Sequence, residues 1–153
     1  MRHKLPKLVK KFLEKGIRLE VIGDISLIPE DVRKVLTDSI EITKEGLAMT
    51  FVLAFGYSGQ DEIVRGVKKC IREWVDPDTL TEKEFLTYLD SGKYPSPDVI
   101  VRTGGNIRHS GYFLYQSAYS EYFFTETLWP DFAQSDFDAA VSFYEWVKRN
   151  FGK

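Results

Sequence analysis

Hydrophobic positions along the chain follow two patterns, a helical spacing and short unbroken runs. Helical spacing predicts helices over residues 5–15, 29–45, 61–74 and 81–89, and a last helix that begins at Ser135. Short runs rich in branched and aromatic residues predict strands over residues 17–23, 47–55, 99–102 and 121–125. Since strands and helices alternate, we predict an α/β fold with a mostly parallel sheet flanked by helices.

The run 47–55 is apolar nearly throughout, which is typical of a central strand, and Val99–Arg102 has the composition of a short strand that is buried on both faces. Thr81 with Glu84 predicts a capping box, and Ser135 is the expected N-cap of the last helix. Asp61 and Glu62 fall in the first turn of a helix, where carboxylates are favourable. The alternative for these two acids is a metal site.

Length and composition indicate one globular domain, residues 1–153, in a chain with 43% hydrophobic and 29% charged residues. A net charge of −2 argues against a nucleic-acid-binding protein. One cysteine, Cys70, excludes an internal disulfide and fits a reducing compartment, and neither a membrane-length apolar run nor a signal peptide is visible. We therefore expect a cytoplasmic protein.

The first 16 residues carry six lysine or arginine side chains and one glutamate. A basic amphipathic helix can lie on an anionic membrane surface, which would make the protein peripherally associated with a membrane. The alternative, which we favour, is a helix packed by its apolar face with the lysines in solvent.

Cations, glycines and a hydroxyl follow the predicted strand 99–102 at close spacing. Arg102 ends the strand, Gly104 and Gly105 permit a tight turn, and Arg108, His109 and Ser110 precede another glycine. Ligands of open α/β sheets bind at the carboxyl ends of strands, and the arginine fork matches phosphate oxygens. Residues 102–111 are therefore predicted to form an anion cradle, although each feature alone is also ordinary loop chemistry.

Aromatic residues concentrate in the last quarter of the chain, where 14 of the 22 lie. Most are expected in the core. Their excess over the needs of one small core predicts an apolar interface or a surface for an apolar ligand.

The run RTGGNIRHSGYFLYQSAYSEYFFTETLWPDF closely resembles the signature of the cis-prenyltransferases, the undecaprenyl diphosphate synthase family. The segments RLEVIGDISLIPEDVR, LAFGYSGQDEIV and VKRNFGK extend the resemblance over nearly the whole chain. It implies a polyprenyl diphosphate synthase, a transferase that condenses isopentenyl diphosphate with an allylic diphosphate in the cis configuration. It also implies Mg²⁺ and a homodimer or heterodimer.

By motif position, the resemblance assigns Arg102, Arg108 and Ser110 to the diphosphate of isopentenyl diphosphate and Glu121 to the metal. His109 departs from the residues common at its position. Family members also begin with a strand and a phosphate loop of the type Asp-Gly-Asn-Gly-Arg, which carries the catalytic aspartate, and this sequence contains no such motif. The catalytic residue is therefore unknown. We expect a truncated synthase that is inactive alone or, as the alternative, a non-catalytic subunit of a heteromeric enzyme.

Overall fold

A computed structural model describes residues 5–148 of the chain. It contains four strands, β1 (Ile17–Gly23), β2 (Met49–Phe55), β3 (Val99–Arg102) and β4 (Glu121–Phe124), and five α-helices, α1 (Leu5–Glu14), α2 (Glu30–Thr43), α3 (Gly59–Arg72), α4 (Glu82–Thr87) and α5 (Gln134–Trp146). Short 3-10 helices lie at Ile25–Leu27 and Trp129–Asp131. The chain divides into two compact units, residues 1–62 and 63–153, within α3. The prediction of one domain is not tested by this division.

In the first unit, β1 and β2 pair in parallel, from Ile17 opposite Met49 to Gly23 opposite Phe55. The buried core of this unit is formed by α1, β1, α2 and the loop before α2, and comprises Leu5, Val9, Phe12, Leu19, Ile28 and Leu36. The apolar face of α1 is thus used in packing, while Lys7, Lys10 and Lys11 are exposed. The packing of Leu5, Val9 and Phe12 agrees with the packed-helix interpretation, although Leu8 and Leu13 of the same helix are exposed, and association of the basic segment with a membrane surface stays a prediction. No helix among residues 5–148 has the length and hydropathy needed to cross a bilayer.

Helix α2 also covers a polar group of β1. The backbone N–H of Leu19 donates to Thr43 Oγ1 at 3.0 Å, and this hydroxyl in turn donates to the carbonyl of Ser39 at 2.8 Å. Leu19 is fully buried and Thr43 is 1% exposed. Since a buried N–H without a partner is costly, the Thr43 hydroxyl satisfies a donor that β2 does not reach.

In the second unit, β3 and β4 pair in parallel, from Val99 opposite Glu121 to Arg102 opposite Phe124. Helix α5 contacts both strands. Helix α3 packs closely on α4, since a Cβ at Gly66 would come within 2.8 Å of Leu89 and 3.2 Å of Phe85. Arg65 and Lys69 of α3 form ion pairs with Asp90 beyond α4. The α/β class, the parallel pairing and the flanking helices are as predicted, but among the described residues the strands form two pairs rather than one sheet.

Three local predictions differ from the structure. Strand β2 begins at Met49, and Met49 and Phe51 are exposed, so β2 is not enclosed as a central strand would be. Val101 of β3 is likewise 37% exposed. The reason is that each strand has one hydrogen-bonded neighbour among the described residues.

The third difference is the N-terminal cap of α5, whereas the cap of α4 is as predicted. Thr81 and Glu84 form the expected capping box on α4. Helix α5, however, begins at Gln134, so Ser135 is not its N-cap. Asp136 accepts a hydrogen bond from the N–H of Ala133, the N-cap residue, at 2.9 Å.

The aromatic segment is also less buried than expected. Of its described aromatic residues, Phe113 alone is fully buried, whereas Tyr119, Trp129 and Trp146 are 67%, 73% and 82% exposed. The prediction that most would be core is therefore wrong. These exposed residues leave the prediction of an apolar interface or ligand surface untested.

Candidate anion-binding site

The floor of the site is a ladder of four side chains on one face of the second unit's strands. Ile100 is opposite Tyr122, and Arg102 is opposite Phe124. Since side chains alternate along a strand, these four share one face. The rings of Tyr122 and Phe124 stack with centroids 6.0 Å apart. The floor is therefore apolar except at its carboxyl end, where Arg102 lies.

Beyond Arg102 the chain turns at two glycines. Gly104 and Gly105 have φ of 84° and 73°, a conformation that favours glycine, and their N–H groups donate to the carbonyls of Thr127 and Thr125 at 2.9 Å each. A Cβ at Gly105 would meet nothing within 4 Å. The predicted turn is therefore present, and Gly105 is required there by its φ rather than by a close approach of other atoms.

The guanidinium of Arg102 holds the following loop. Its Nη1 donates to the backbone carbonyl of Arg108 and, at 2.7 Å, to Ser110 Oγ. Both acceptors are neutral, so the charge of Arg102 is not compensated by these bonds. Arg108 is exposed, and its guanidinium makes no hydrogen bond or ion pair with any described residue. The loop thus presents two cations.

These groups line a cavity of about 160 Å³, together with the ladder below them. Its lining residues are Ile100, Val101, Arg102, Arg108, His109, Ser110, Tyr112, Tyr122 and Phe124. None of these nine described residues is acidic. Burial raises the pKa of the Tyr112 phenol, a hydroxyl that is protonated at neutral pH in any case and is able to donate. The cavity therefore combines cations at its rim with an apolar floor.

His109 is fixed at both ring nitrogens. Its Nδ1 accepts a hydrogen bond from the N–H of Gly111 at 3.0 Å, so this nitrogen carries no proton. The proton of the neutral ring is consequently on Nε2, which lies 2.9 Å from Ser117 Oγ. The sequence suggested a further cation at this position, whereas the structure uses the ring as an acceptor.

Glu121 lies on the other face of β4. It alternates with Tyr122 and Phe124, which line the cavity, and shares its face with Phe123. The ring centroids of Phe123 and Phe143, a residue of α5, lie 5.7 Å apart, which shows that α5 covers this second face.

The register also separates Glu121 from the cradle along the strands. Glu121 is opposite Val99, which lies three residues before Arg102. At the rise of a strand, this separation along the strands is about 10 Å. The structure therefore brings Arg102, Arg108 and Ser110 together and does not bring Glu121 to them.

A magnesium site at the cradle does not fit the described residues of one chain. Mg²⁺ prefers carboxylate and phosphate oxygens, and the cradle offers cations and a hydroxyl. Residues 5–148 contain no group of three or more His, Cys, Asp or Glu that could hold a metal ion. Asp61 and Glu62 lie in the first turn of α3, and a metal at this pair stays untested. The assignment of Glu121 to Mg²⁺ stays a prediction.

Sequence reasoning missed the floor of the cavity. Tyr122 and Phe124 were expected as general core or surface aromatics, and Ile100 only as a strand residue. Their role depends on the register of β3 and β4, which alternation within β4 alone does not give. The residues of the closing motif VKRNFGK beyond 148 lie outside the described part of the chain.

Comparison with known proteins gives the family of the chain. The sequence model of the undecaprenyl diphosphate synthase family matches residues 1–152. The chain belongs to the undecaprenyl diphosphate synthase family. An isoprenyl transferase of Chlorobaculum tepidum is 40% identical over 97% of this chain and 58% of its own length.

A second relative and a solved structure extend the family comparison. The tritrans,polycis-undecaprenyl-diphosphate synthase (geranylgeranyl-diphosphate specific) of Thermoplasma volcanium is 38% identical over 90% of this chain and 55% of its own length. The crystal structure of lavandulyl diphosphate synthase from Lavandula x intermedia with dimethylallyl diphosphate superposes with a TM-score of 0.91 at 31% identity, covering 97% of this chain and 66% of that one. The chain thus spans somewhat more than half the length of these curated relatives.

Proposed function

We propose that the cradle binds the diphosphate of isopentenyl diphosphate for cis-prenyl transfer. One observation carries this proposal: Arg102, Arg108 and Ser110 line a single cavity whose floor is apolar. Two uncompensated cations favour a polyvalent anion, and the ladder beneath them offers a surface to a short hydrocarbon group. Family membership supports the same substrate class, because the relatives are named as isoprenyl transferases and polyprenyl diphosphate synthases.

The chemistry needs such a site. In prenyl condensation the allylic diphosphate ionises, and the acceptor must be held beside the developing cation by its own diphosphate. The permanently charged guanidinium of Arg102 at a strand end binds the diphosphate, so the reacting carbons of the acceptor stay available for condensation. The cradle therefore supplies binding and orientation of the acceptor.

Calorimetry with pyrophosphate and with isopentenyl diphosphate tests the proposal. Arg102→Ala and Arg108→Ala should each weaken binding by about 1.5–3 kcal/mol, the range for hydrogen bonds to charged groups. Arg72→Ala is the matched control, because Arg72 is an exposed arginine of α3 in the same unit and is absent from the cavity lining. Equal affinities of the wild type and both cradle variants would show that the anion binds elsewhere.

Binding should not require a metal, since Glu121 faces away from the cavity. We expect pyrophosphate to bind in EDTA at least as tightly as with Mg²⁺, which compensates part of the ligand's charge. The opposite result would support the metal assignment of Glu121: pyrophosphate would bind much more weakly in EDTA than with Mg²⁺, and the Glu121→Gln variant would lack this difference.

We further infer that these 153 residues do not catalyse condensation by themselves. The family's Asp-Gly-Asn-Gly-Arg motif, which the resemblance assigns to the allylic diphosphate, does not occur in the sequence. Radiolabelled isopentenyl diphosphate with an allylic diphosphate and Mg²⁺ should yield no polyprenyl product above background. Long-chain product from the purified chain would overturn this inference.

The alternative function is that of a subunit that completes its site with a partner. The exposed aromatic residues Tyr119, Trp129 and Trp146 favour an association surface. Product formed only after addition of a second chain that carries the Asp-Gly-Asn-Gly-Arg motif would support this alternative. Homodimerisation and association with a membrane surface are likewise predictions that are not yet tested.

A further inference from the structure

We propose that His109 is a positioning residue of the cradle, in which its neutral ring holds Ser110 and Gly111 in the conformation that presents the Ser110 hydroxyl and the Arg102 fork to an anion. This inference rests on the proposed function, because it concerns the affinity of the same site. Nothing in the family resemblance assigns His109 a role, and its side chain departs from the residues common at that position.

The backbone around Ser110 needs support. Ser110 has φ of 54° and the next residue, Gly111, has φ of 74°. A positive φ is uncommon for a residue with a side chain, and Ser110 adopts it in an exposed loop where little packing can enforce it. Hydrogen bonds on both sides of Ser110 must therefore maintain the turn.

His109 supplies one of those hydrogen bonds. Its Nδ1 accepts from the N–H of Gly111, so the ring closes a turn over Ser110 in the way that an asparagine or aspartate oxygen closes an Asx turn. Arg102 supplies the other, through its bond of 2.7 Å to Ser110 Oγ. The serine is thus held from its backbone by His109 and from its hydroxyl by Arg102.

The ring itself contacts a buried side chain and a strand residue of the unit. Nε2 lies 2.9 Å from the hydroxyl of Ser117, which is 5% exposed, and the ring centroid lies 5.6 Å from that of Tyr122 in β4. These contacts fix the plane of the imidazole, and with it the direction of Nδ1. The loop is thereby tied to the cavity floor.

The same contacts argue against His109 as a third cation for the ligand. Both ring nitrogens are already engaged within the protein, and protonation of Nδ1 would place a second donor against the Gly111 N–H. A hydrogen bond from His109 to an anion would require the loss of the Ser117 contact. The acceptor role and the cation role therefore make opposite predictions for substitutions.

Three variants separate these roles. His109→Asn keeps an acceptor oxygen two residues before Gly111, His109→Ala removes it, and His109→Lys replaces it with a cation. We expect His109→Ala to weaken pyrophosphate binding about tenfold, which corresponds to the loss of one or two hydrogen bonds, and His109→Asn to stay within about twofold of the wild type. His109→Lys should resemble the alanine variant.

Nuclear magnetic resonance adds a readout that is independent of the ligand. The Gly111 amide should exchange slowly in the wild type and in His109→Asn and rapidly in His109→Ala, and the ¹⁵N shifts of His109 should report the Nε2–H tautomer. Urea unfolding of each variant shows that the unit remains folded. Under these conditions a loss of affinity together with a loss of Gly111 protection supports the positioning role.

Two failures can be told apart. If the wild type does not bind pyrophosphate, the proposed function is wrong and this inference falls with it. If the wild type binds and His109→Ala binds equally well, this inference alone is overturned. It is also overturned if His109→Lys binds pyrophosphate as tightly as the wild type while His109→Asn binds it more weakly. Rapid exchange of the Gly111 amide in the wild type would overturn it as well.

Discussion

The two arginines of the cradle should respond differently to removal. Arg102 donates to the carbonyl of Arg108 and to Ser110 Oγ, so it shapes the loop as well as the charge of the cavity. The Arg108 guanidinium has no partner among the described residues. Because Arg108→Ala keeps the backbone carbonyl that Arg102 uses, it removes only the charge and fork that face the ligand.

The magnitudes follow from these contacts. Each arginine should contribute about 1.5–3 kcal/mol to diphosphate binding, equivalent to a loss of about 10- to 150-fold when it is removed. Arg102→Ala also loses two hydrogen bonds to neutral acceptors near solvent, which together contribute about 1 kcal/mol at the low end of the usual range. We expect Arg102→Ala to bind pyrophosphate about fivefold more weakly than Arg108→Ala.

Calorimetry at constant salt measures the affinities, and urea unfolding measures the free energy of unfolding of the same proteins. Arg102→Ala should lower the free energy of unfolding by about 1 kcal/mol, whereas Arg108→Ala should change it by less than about 0.5 kcal/mol. Salt must be held constant because screening weakens both arginines alike. Equal affinity losses, or a destabilised Arg108→Ala protein, would refute the division of roles between the two residues.

Two further predictions concern the framework of each unit. Thr43→Val should lower the free energy of unfolding by about 1–3 kcal/mol in urea titrations, because it leaves the buried Leu19 N–H without an acceptor, whereas Thr43→Ser should retain most of the stability. For Asp90, burial raises the pKa, but hydrogen bonds from Arg65 and Lys69 and the charges of both bring its net pKa below the usual value. The stabilisation by the Asp90 carboxylate is therefore present above about pH 4 and lost as the pH falls through the depressed pKa, so the deficit of Asp90→Asn, about 1–2 kcal/mol at pH 7, should shrink at pH 3. A deficit that is the same at both pH values would contradict this assignment.

Sequence patterns located the elements well where local chemistry determines them. Ile17–Gly23 and Val99–Arg102 are strands with the predicted bounds, because branched residues favour an extended chain and a glycine or a charged residue ends the run. The capping box of Thr81 is equally local. The N-cap of α5 was missed because the helix begins at Gln134, so that Ser135 lies inside its first turn and Ala133 is the N-cap.

The environment of each element was harder to predict, since it depends on neighbours far along the chain. An apolar run such as Met49–Phe55 indicates a strand but not how many strands flank it, so the exposure of Met49 and Phe51 could not be anticipated. The role of His109 depends on the tautomer and on the position of Ser117, neither of which the sequence specifies. The cradle was predicted because its cations and glycines are adjacent in sequence.

The alternation of side chains along β4 divides the functional residues between two faces. Tyr122 and Phe124 join the cradle face, whereas Glu121 joins the face that α5 covers. Under the proposed function, the anion would be held within one chain by Arg102 and Arg108, while Glu121 lies on the opposite face of β4. The acceptor in the proposed reaction keeps its diphosphate during condensation, so under this proposal the cradle has to bind and orient that diphosphate and does not have to stabilise a leaving group.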